Sequence, residues 1–453
     1  MTSPRLIWGL DHPLTRPDCI TEKDLWFGDR RLSPVRFDTI RLFSGDLSEL
    51  NPWLSQGFLA PKAIQSHFFS QLDHYLIMME RSIFGRDCDF SQQRDWLSLV
   101  LHGFHGLLDQ CRPAYAFFVS PPHFGIDQLL SDLCEWLSIP VYWGYQSLFP
   151  DRFWLLTSSF QRITPPYTAS IPVLPDVSNE QLFYMQKIHV PYRNLVSVAG
   201  IWLRVLIGKI KGGAAYGLRR VLLQRRFQQQ IMAQTQSIDT RETLLAVLNE
   251  KPYIYVPMHL QPEMTTTALG GSRFHDQAEM IEALLSILPE GWQILLKENP
   301  KQDWQCRSNA FWKRIKADPR VKLLPRHCAS KVLIAHSRMV AVISGTAGWE
   351  AIRMNKPVIS FGWCWYGDLP GVYPWKPDLA LMDINLKAPE KTELEDAYCL
   401  LVAEAWEGVL DAEYLTISNL ASKKEINTIN IKMMIHCLDT RNAVERSIPP
   451  YKY

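Results

Sequence analysis

From Pro252 to Phe361 short apolar runs alternate with longer amphipathic ones, a rhythm that few folds accommodate. Pro252–Pro257, Trp292–Lys297, Val321–Leu324, Ala341–Ser344 and Pro357–Phe361 have the length and composition of buried strands. Gln277–Ile287, Phe311–Lys316 and Ala329–Ala335 fall between them with helical spacing, and a further helix should start after Gly345. Strands separated by helices of this length predict a mostly parallel, doubly wound α/β sheet.

The amino-terminal half carries the same rhythm more faintly. Ala114–Ser120 reads as a strand, PPHFG as its exit loop, Ile126–Leu137 as an amphipathic helix and Pro140–Trp143 as the next strand. Before them, Ala60–Phe84 and Trp96–Leu108 have helical spacing. A chain of 453 residues exceeds one ordinary core. The partition expected is a first Rossmann-like domain over 1–180, a basic helical linker over 181–245, a second Rossmann-like domain over 246–385, and carboxyl-terminal helices and tail over 386–453. In that last stretch Leu394, Tyr398, Leu401, Ala405 and Val409 share one helical face.

Composition narrows the class. With 47% hydrophobic and 21% charged residues the chain can fill a large core. Its nine cysteines stand apart, without a CxxC pair or a Cys/His cluster at zinc spacing, so reduced thiols and no metal centre are expected. MTSPRLIWGLDHP lacks the basic and apolar regions of a signal peptide, and no run reaches the roughly 18 apolar residues of a spanning helix. A cytoplasmic protein is expected. The sixteen Trp suit core filling better than a carbohydrate platform.

Charge is unevenly spread. Gln181 to Ile238 holds Lys187, Arg193, Arg204, Lys209, Lys211, Arg219, Arg220, Arg225 and Arg226 but no Asp or Glu. The interleaved LVSVAGIWLRVLIGKI suits a helix on an anionic membrane surface, which would place 187–226 on the inner face of the cytoplasmic membrane. A plain linker of solvated helices fits equally well. Nucleic acid is not expected as a partner, since no regular series of stacking aromatics accompanies the charge.

Chemistry should gather at strand ends. Gly345 and Gly348 let the backbone turn sharply after Ser344 and approach a ligand closely. The Thr346 hydroxyl and the first N–H groups of the new helix can meet an anion, and Glu350 can accept from a ribose diol. In the first half His123 follows a strand, where it would serve as a general base toward an acceptor hydroxyl or cap the helix with Asp127. Gln146, Ser147 and Asp151 follow the next strand.

The segment YVPMHLQPEMTTTALGG (Tyr255 to Gly271), then WQILLKENPKQD, then SGTAGWEAIRMNKPVISFG, resembles the capsular polysaccharide biosynthesis proteins. These belong with bacterial capsule Kdo-transferase-like families, which carry a QP motif, an HP motif and a GT-x-G-W-E-A segment in that order. The resemblance covers roughly residues 250–370. It implies a GT-B glycosyltransferase with two Rossmann-like domains facing a cleft, an acceptor side in the first and a nucleotide-sugar site in the second. It implies no cofactor and no metal. The donor would be a nucleotide sugar, CMP-Kdo or another CMP-activated ulosonic acid, and the acceptor a glycan or glycolipid.

By position, Gln261 and Pro262 match the QP motif, and Glu263 follows as the catalytic carboxylate that the resemblance suggests, with His259 nearby. The HP position reads Lys297-Glu298-Asn299-Pro300, with Asn where the family has His. Asn donates a hydrogen bond but carries no charge, so either phosphate stabilisation shifts toward Lys297, Thr346 and the helix start or activity is reduced or lost. Asp303 is a further carboxylate at the same strand end. Arg326 and His327 fall in the loop that meets the nucleotide base in GT-B folds. Two other readings remain open: a nucleotide-sugar epimerase of the same fold, and a non-catalytic partner in capsule assembly.

Overall fold

The computed structural model describes residues 3–13, 15–82, 88–168, 171, 222–231, 238, 240–303, 306–379, 381, 390–411, 414 and 424–447. The chain forms two units, Met1–Val173 with Cys399–Tyr453, and Leu174–Tyr398. Most of the basic stretch, 187–221, lies outside the described residues. Its end, 222–231, is helical.

The first unit opens with strands β1 (Leu6–Trp8), β2 (Leu25–Gly28) and β3 (Phe37–Asp38). A 22-residue helix, Phe90–Cys111, starts at a capping box in which Asp89 and Gln92 bond each other's backbone N–H. Strand β4 (Ala116–Phe118), helix Gly125–Trp136, and strands β5 (Val141–Gln146), β6 (Arg152–Thr157) and β7 (Arg162–Ile163) follow. The β3-β2-β1-β4-β5 path is parallel, and β6 closes it antiparallel.

In the second unit β8 (Tyr253–Pro257), β9 (Gln293–Lys297), β10 (Val321–Leu324), β11 (Met339–Val342), β12 (Val358–Ser360) and β13 (Val372–Pro374) pair in the order β10-β9-β8-β11-β12-β13. Every pairing is parallel. Counted within the unit this is 3-2-1-4-5-6, the doubly wound Rossmann order, whose reversal point lies between β8 and β11. Helices cover both faces, so β9 and β11 are buried along their whole length, in keeping with QILLK and MVAV. The α/β class with two Rossmann-like domains is the one expected from the strand–helix rhythm. Gln277–Ile287 and Val321–Leu324 begin and end where the spacing put them.

The chain then returns to the first unit. Helix Lys391–Ala403 ends before Ala405, and Trp406–Glu407 is strand β14, paired antiparallel with β6. The helical face expected to run through Ala405 and Val409 is therefore cut short. Trp406 fills the core beneath β6 and donates from its indole N–H to the Ile163 carbonyl at 2.7 Å, while its backbone pairs with Phe153 of β6 instead of continuing a helix. Helix Lys424–Ser447 places Ile431, Met434, Ile435 and Leu438 in the same core.

Candidate active site at the strand reversal

The loops leaving β8 and β11 meet at the reversal point. His259, buried at 6% exposure, accepts on Nε2 from the Gly345 N–H at 2.9 Å and the Ser344 N–H at 3.4 Å. An imidazole accepting on Nε2 carries its proton on Nδ1, and among the described residues Nδ1 has no hydrogen-bond partner. Burial pushes the His259 pKa down to about 4, with Glu263 opposing and Arg307 reinforcing the shift. The ring is neutral at pH 7. It also takes the Gly345 N–H that an anion was expected to meet.

Glycine is required at both turn positions. A Cβ on Gly345 would lie 2.6 Å from His259 Nε2, and one on Gly348 would lie 2.2 Å from the Tyr366 hydroxyl. Tyr366 donates to the Gly345 carbonyl at 2.5 Å. Ser344 donates from Oγ to the Thr265 carbonyl at 2.7 Å. Helix Thr346–Arg353 starts here, with Gly345 as its N-cap residue and Glu350 one turn along. Trp349, on its buried face, packs against Trp365 with ring centroids 4.9 Å apart.

The QP motif turns inward. The Gln261 side chain accepts on Oε1 from Gln277 and from Arg307, both at 2.7 Å, and donates from Nε2 to the His275 carbonyl. Its backbone N–H donates to Gln302 Oε1 at 2.7 Å. The Gln261–Pro262 peptide is cis. Glu263 follows with its carboxylate folded onto Thr265, accepting from that residue's N–H at 3.2 Å and from its hydroxyl.

The ENP segment divides its tasks. Lys297 is buried and donates from Nζ to the Cys328 carbonyl at 3.1 Å and to Ser330 Oγ. Burial lowers its pKa to about 8, while Cys328 and Glu350 pull the other way. Glu298 forms a fully buried ion pair with Arg307 at 2.7 Å. Asn299, in the position where a His was expected from the resemblance, closes a turn by accepting from the Lys301 N–H at 2.9 Å. Asp303, beyond partly buried Pro300, takes the Gln302 Nε2–H on its backbone carbonyl at 3.2 Å.

Not all expected site residues converge. Arg326 donates to the Gln302 carbonyl at 2.9 Å and lies over the Phe227 ring at 5.0 Å. His327 contacts the Ile238 carbonyl through Nε2 at 3.2 Å. Both meet residues of their own unit, Phe227 and Ile238. His123 belongs to the other unit, in the loop after β4, with Nδ1 2.8 Å from the Pro121 carbonyl. Its backbone N–H, with those of Phe124 and Gln128, donates to the Asp127 carboxylate. Gln146 and Ser147, which follow β5, are occupied internally: Gln146 accepts from the Leu410 N–H at 2.7 Å, and Ser147 donates to the Arg152 carbonyl at 2.7 Å.

Sequence reasoning missed Glu298, Arg307, Gln277 and Gln302. The available signal was weak: a carboxylate inside the KENP segment, directly after a strand with no exposed face, needs a buried cation.

Residues 211–406 match the model of a family described as capsule polysaccharide biosynthesis protein. None of the curated proteins matches the chain in sequence. Among solved structures the chain is similar to two transferases of Thermosulfurimonas dismutans. These are KpsC beta Kdo 2,7 transferase (12% identity, 68% of this chain and 83% of that one, TM-score 0.30) and KpsC beta Kdo 2,4 transferase (11%, 65% and 82%, TM-score 0.29). It is also similar to the UDP-GlcNAc 2-epimerase of Methanocaldococcus jannaschii (11% identity, 87% and 91%, TM-score 0.24). The assignment rests on the family match, which extends past the 250–370 stretch on both sides and encloses every loop at the reversal point of the second sheet. Over residues 211–406 the chain is similar to the capsule polysaccharide biosynthesis protein family.

Proposed function

We propose that the protein is a glycosyltransferase of capsular or surface polysaccharide synthesis. It transfers a sugar from a nucleotide donor to a glycan or glycolipid acceptor. The observation that carries this reading is the coincidence of the family match with a Rossmann reversal point, where helix Thr346–Arg353 follows Gly345 and contains Gly348, and a Cβ on either would crowd a neighbouring side chain. Ligands of open α/β sheets bind at such points.

In this reading the donor phosphates lie toward Thr346, the start of its helix and the ammonium of Lys297, and no metal takes part. Glu350 accepts from the ribose, and Arg326 and His327 border the base. Glu263 stabilises the developing oxocarbenium centre, with Asp303 a second carboxylate near that edge. His123 serves the acceptor from the amino-terminal domain, 1–180. His259, Gln261, Pro262, Asn299 and Pro300 shape the donor loops. The motif resemblance favours a CMP-activated ulosonic acid such as CMP-Kdo as donor, and the basic 187–226 stretch favours an anionic membrane surface as the place of work.

Thermal unfolding with CMP, CDP, UDP, GDP and CMP-Kdo tests the donor class. A ligand at about 100 times its Kd adds roughly 2.7 kcal/mol, a rise of several degrees. Selective stabilisation by CMP and CMP-Kdo is expected, with turnover surviving EDTA. A response to UDP alone would replace the donor. Silence toward all five, with Asn299→His restoring a response, would make this chain a non-catalytic partner.

A further inference from the structure

One buried guanidinium joins the loops after β8 and β9 at the carboxyl edge of the second sheet and reaches the loop after β11 through His259. Arg307 donates from Nε to Glu298 Oε2 at 2.7 Å, and from one terminal nitrogen to Glu298 Oε1 and the His259 carbonyl, each at 3.2 Å. Its other terminal nitrogen donates to Gln261 Oε1 at 2.7 Å and to the Cys306 carbonyl at 3.2 Å. All five N–H groups are thereby assigned, and the plane stacks on Phe311 at 4.8 Å. Lys could satisfy only part of this pattern, because its donors do not lie in a planar fork.

The contacts form a chain of positions. Glu298 also accepts from the Asn299 N–H at 2.8 Å, so the pair fixes the ENP turn. Gln261 is held between Arg307 and Gln277, and Gln277 in turn donates to the His259 carbonyl at 3.0 Å and accepts from the His259 N–H at 2.8 Å. The backbone that carries the His259 ring is thus fixed by Arg307 and Gln277, and that ring holds the Gly345 and Ser344 N–H groups.

We infer that Arg307 is a positioning residue of the donor site, setting the QP loop, the ENP turn and, through His259, the glycine turn before helix Thr346–Arg353. The inference deepens the nucleotide-donor reading and rests on it for its ligand. Arg307 itself touches no substrate, since every donor it has is spent inside the protein.

The test is the full-length double variant Glu298→Leu/Arg307→Met. Replacing both members of a buried ion pair by apolar groups leaves no orphaned charge, so the unit should still fold. Two readouts are taken: amide exchange of Gly345, referenced to the Val340 amide in β11, and the Kd for CMP. Gly345 exchange should accelerate about 100-fold and CMP affinity fall by a similar factor, as a roughly 1 Å misplacement of a site can produce. Val340, which donates to the Pro357 carbonyl, should be unchanged. A folded double variant with wild-type Gly345 exchange and wild-type CMP affinity overturns the inference, leaving the pair a matter of stability alone. Should the double variant fail to fold, Arg307→Lys decides by the same two readouts. Should the wild-type chain bind no CMP, the donor reading falls, while Gly345 exchange still decides the positioning role.

Discussion

The loops leaving β8, β9 and β11 are tied together by polar side chains that reach across one another: His259, Gln261, Gln277, Glu298, Gln302 and Arg307. The loops leaving β1 and β4 in the other unit are joined by close apolar approach. A Cβ on Gly9 would lie 2.5 Å from Val119, and one on Gly144 in β5 would meet Leu410 at 2.3 Å and the Val119 carbonyl oxygen at 2.6 Å. Polar bonds are present there too, but fewer side chains share them: Asp127 caps its own helix, and Asp11 after β1 accepts from the Asp29 N–H after β2. Both units have the 3-2-1-4-5 parallel path, yet the second secures its strand ends chiefly by directional bonds while the first adds close apolar contact. Directional bonds fix loop positions more narrowly, which suits the nucleotide-donor site proposed for this edge.

The largest test of that contrast removes one acid from each unit. Glu298→Ala leaves the Arg307 charge buried without its partner and should cost about 3–5 kcal/mol. Asp132→Ala in the first unit removes an acceptor for Tyr75 at 2.8 Å and Gln128 at 2.7 Å, and should cost about 1–3 kcal/mol. Urea unfolding, read by amide exchange in β9 and in β4, checks both. Equal losses would erase the distinction between the units.

Adding a methyl group probes the shape side. Gly144→Ala meets a backbone oxygen that cannot turn away, so its cost should exceed that of Gly348→Ala, each on a scale of about 1–3 kcal/mol. Gly348→Ala meets first the Tyr366 hydroxyl, so Tyr366→Phe in the same chain should recover part of the loss. Thermal unfolding of the single and double variants measures the coupling. Strict additivity would break the account of this contact.

The smallest effect concerns pH. Burial raises the Asp127 carboxyl from 3.8 to about 7, against the three backbone N–H groups that favour its anion. The native state then holds a proton that the unfolded chain gives up, so this contribution is lost as pH rises from about 4 to 7. His259 runs oppositely: its pKa falls from 6.5 to about 4, the unfolded chain takes the proton first, and stability is lost as pH falls through that window. Exchange-detected stability of β4 and of β8 should therefore slope in opposite directions between pH 4 and 6.5. Asp127→Asn should flatten the first slope and His259→Gln the second.

Local features of the second unit were legible before any coordinates. Gly345 and Gly348 announce a tight turn between a buried strand and a helix, and the strand read as Ala341–Ser344 is present but lies two residues earlier, at Met339–Val342, because an apolar run without alternation marks burial but not its own ends. Two-residue strands have no periodicity to read. β14 exists because β6 offers it an edge, Glu407 pairing with Arg152, 255 positions earlier in the sequence, and helical spacing around Leu394 and Leu401 simply ran on past it. The same applies to the site. Glu298 and Arg307 are ordinary surface-type residues in a linear chain, and only three-dimensional burial makes them a pair. Gln261 belongs to a motif that was legible, yet its direction, inward to Arg307 rather than outward, depends on the loop after β9 and the start of helix Gln277–Ile287.

The first unit is discontinuous in sequence, because Trp406 and the helix Lys424–Ser447 complete a core begun by Ile7 and Tyr115. During synthesis the floor of that core leaves the ribosome more than 200 residues after the strands it covers. At about 5–20 residues per second the wait is on the order of ten to fifty seconds. By its end the second unit, drawn from one uninterrupted stretch, has all its parts in hand. The piece of the molecule that is translated first is therefore the last able to finish folding.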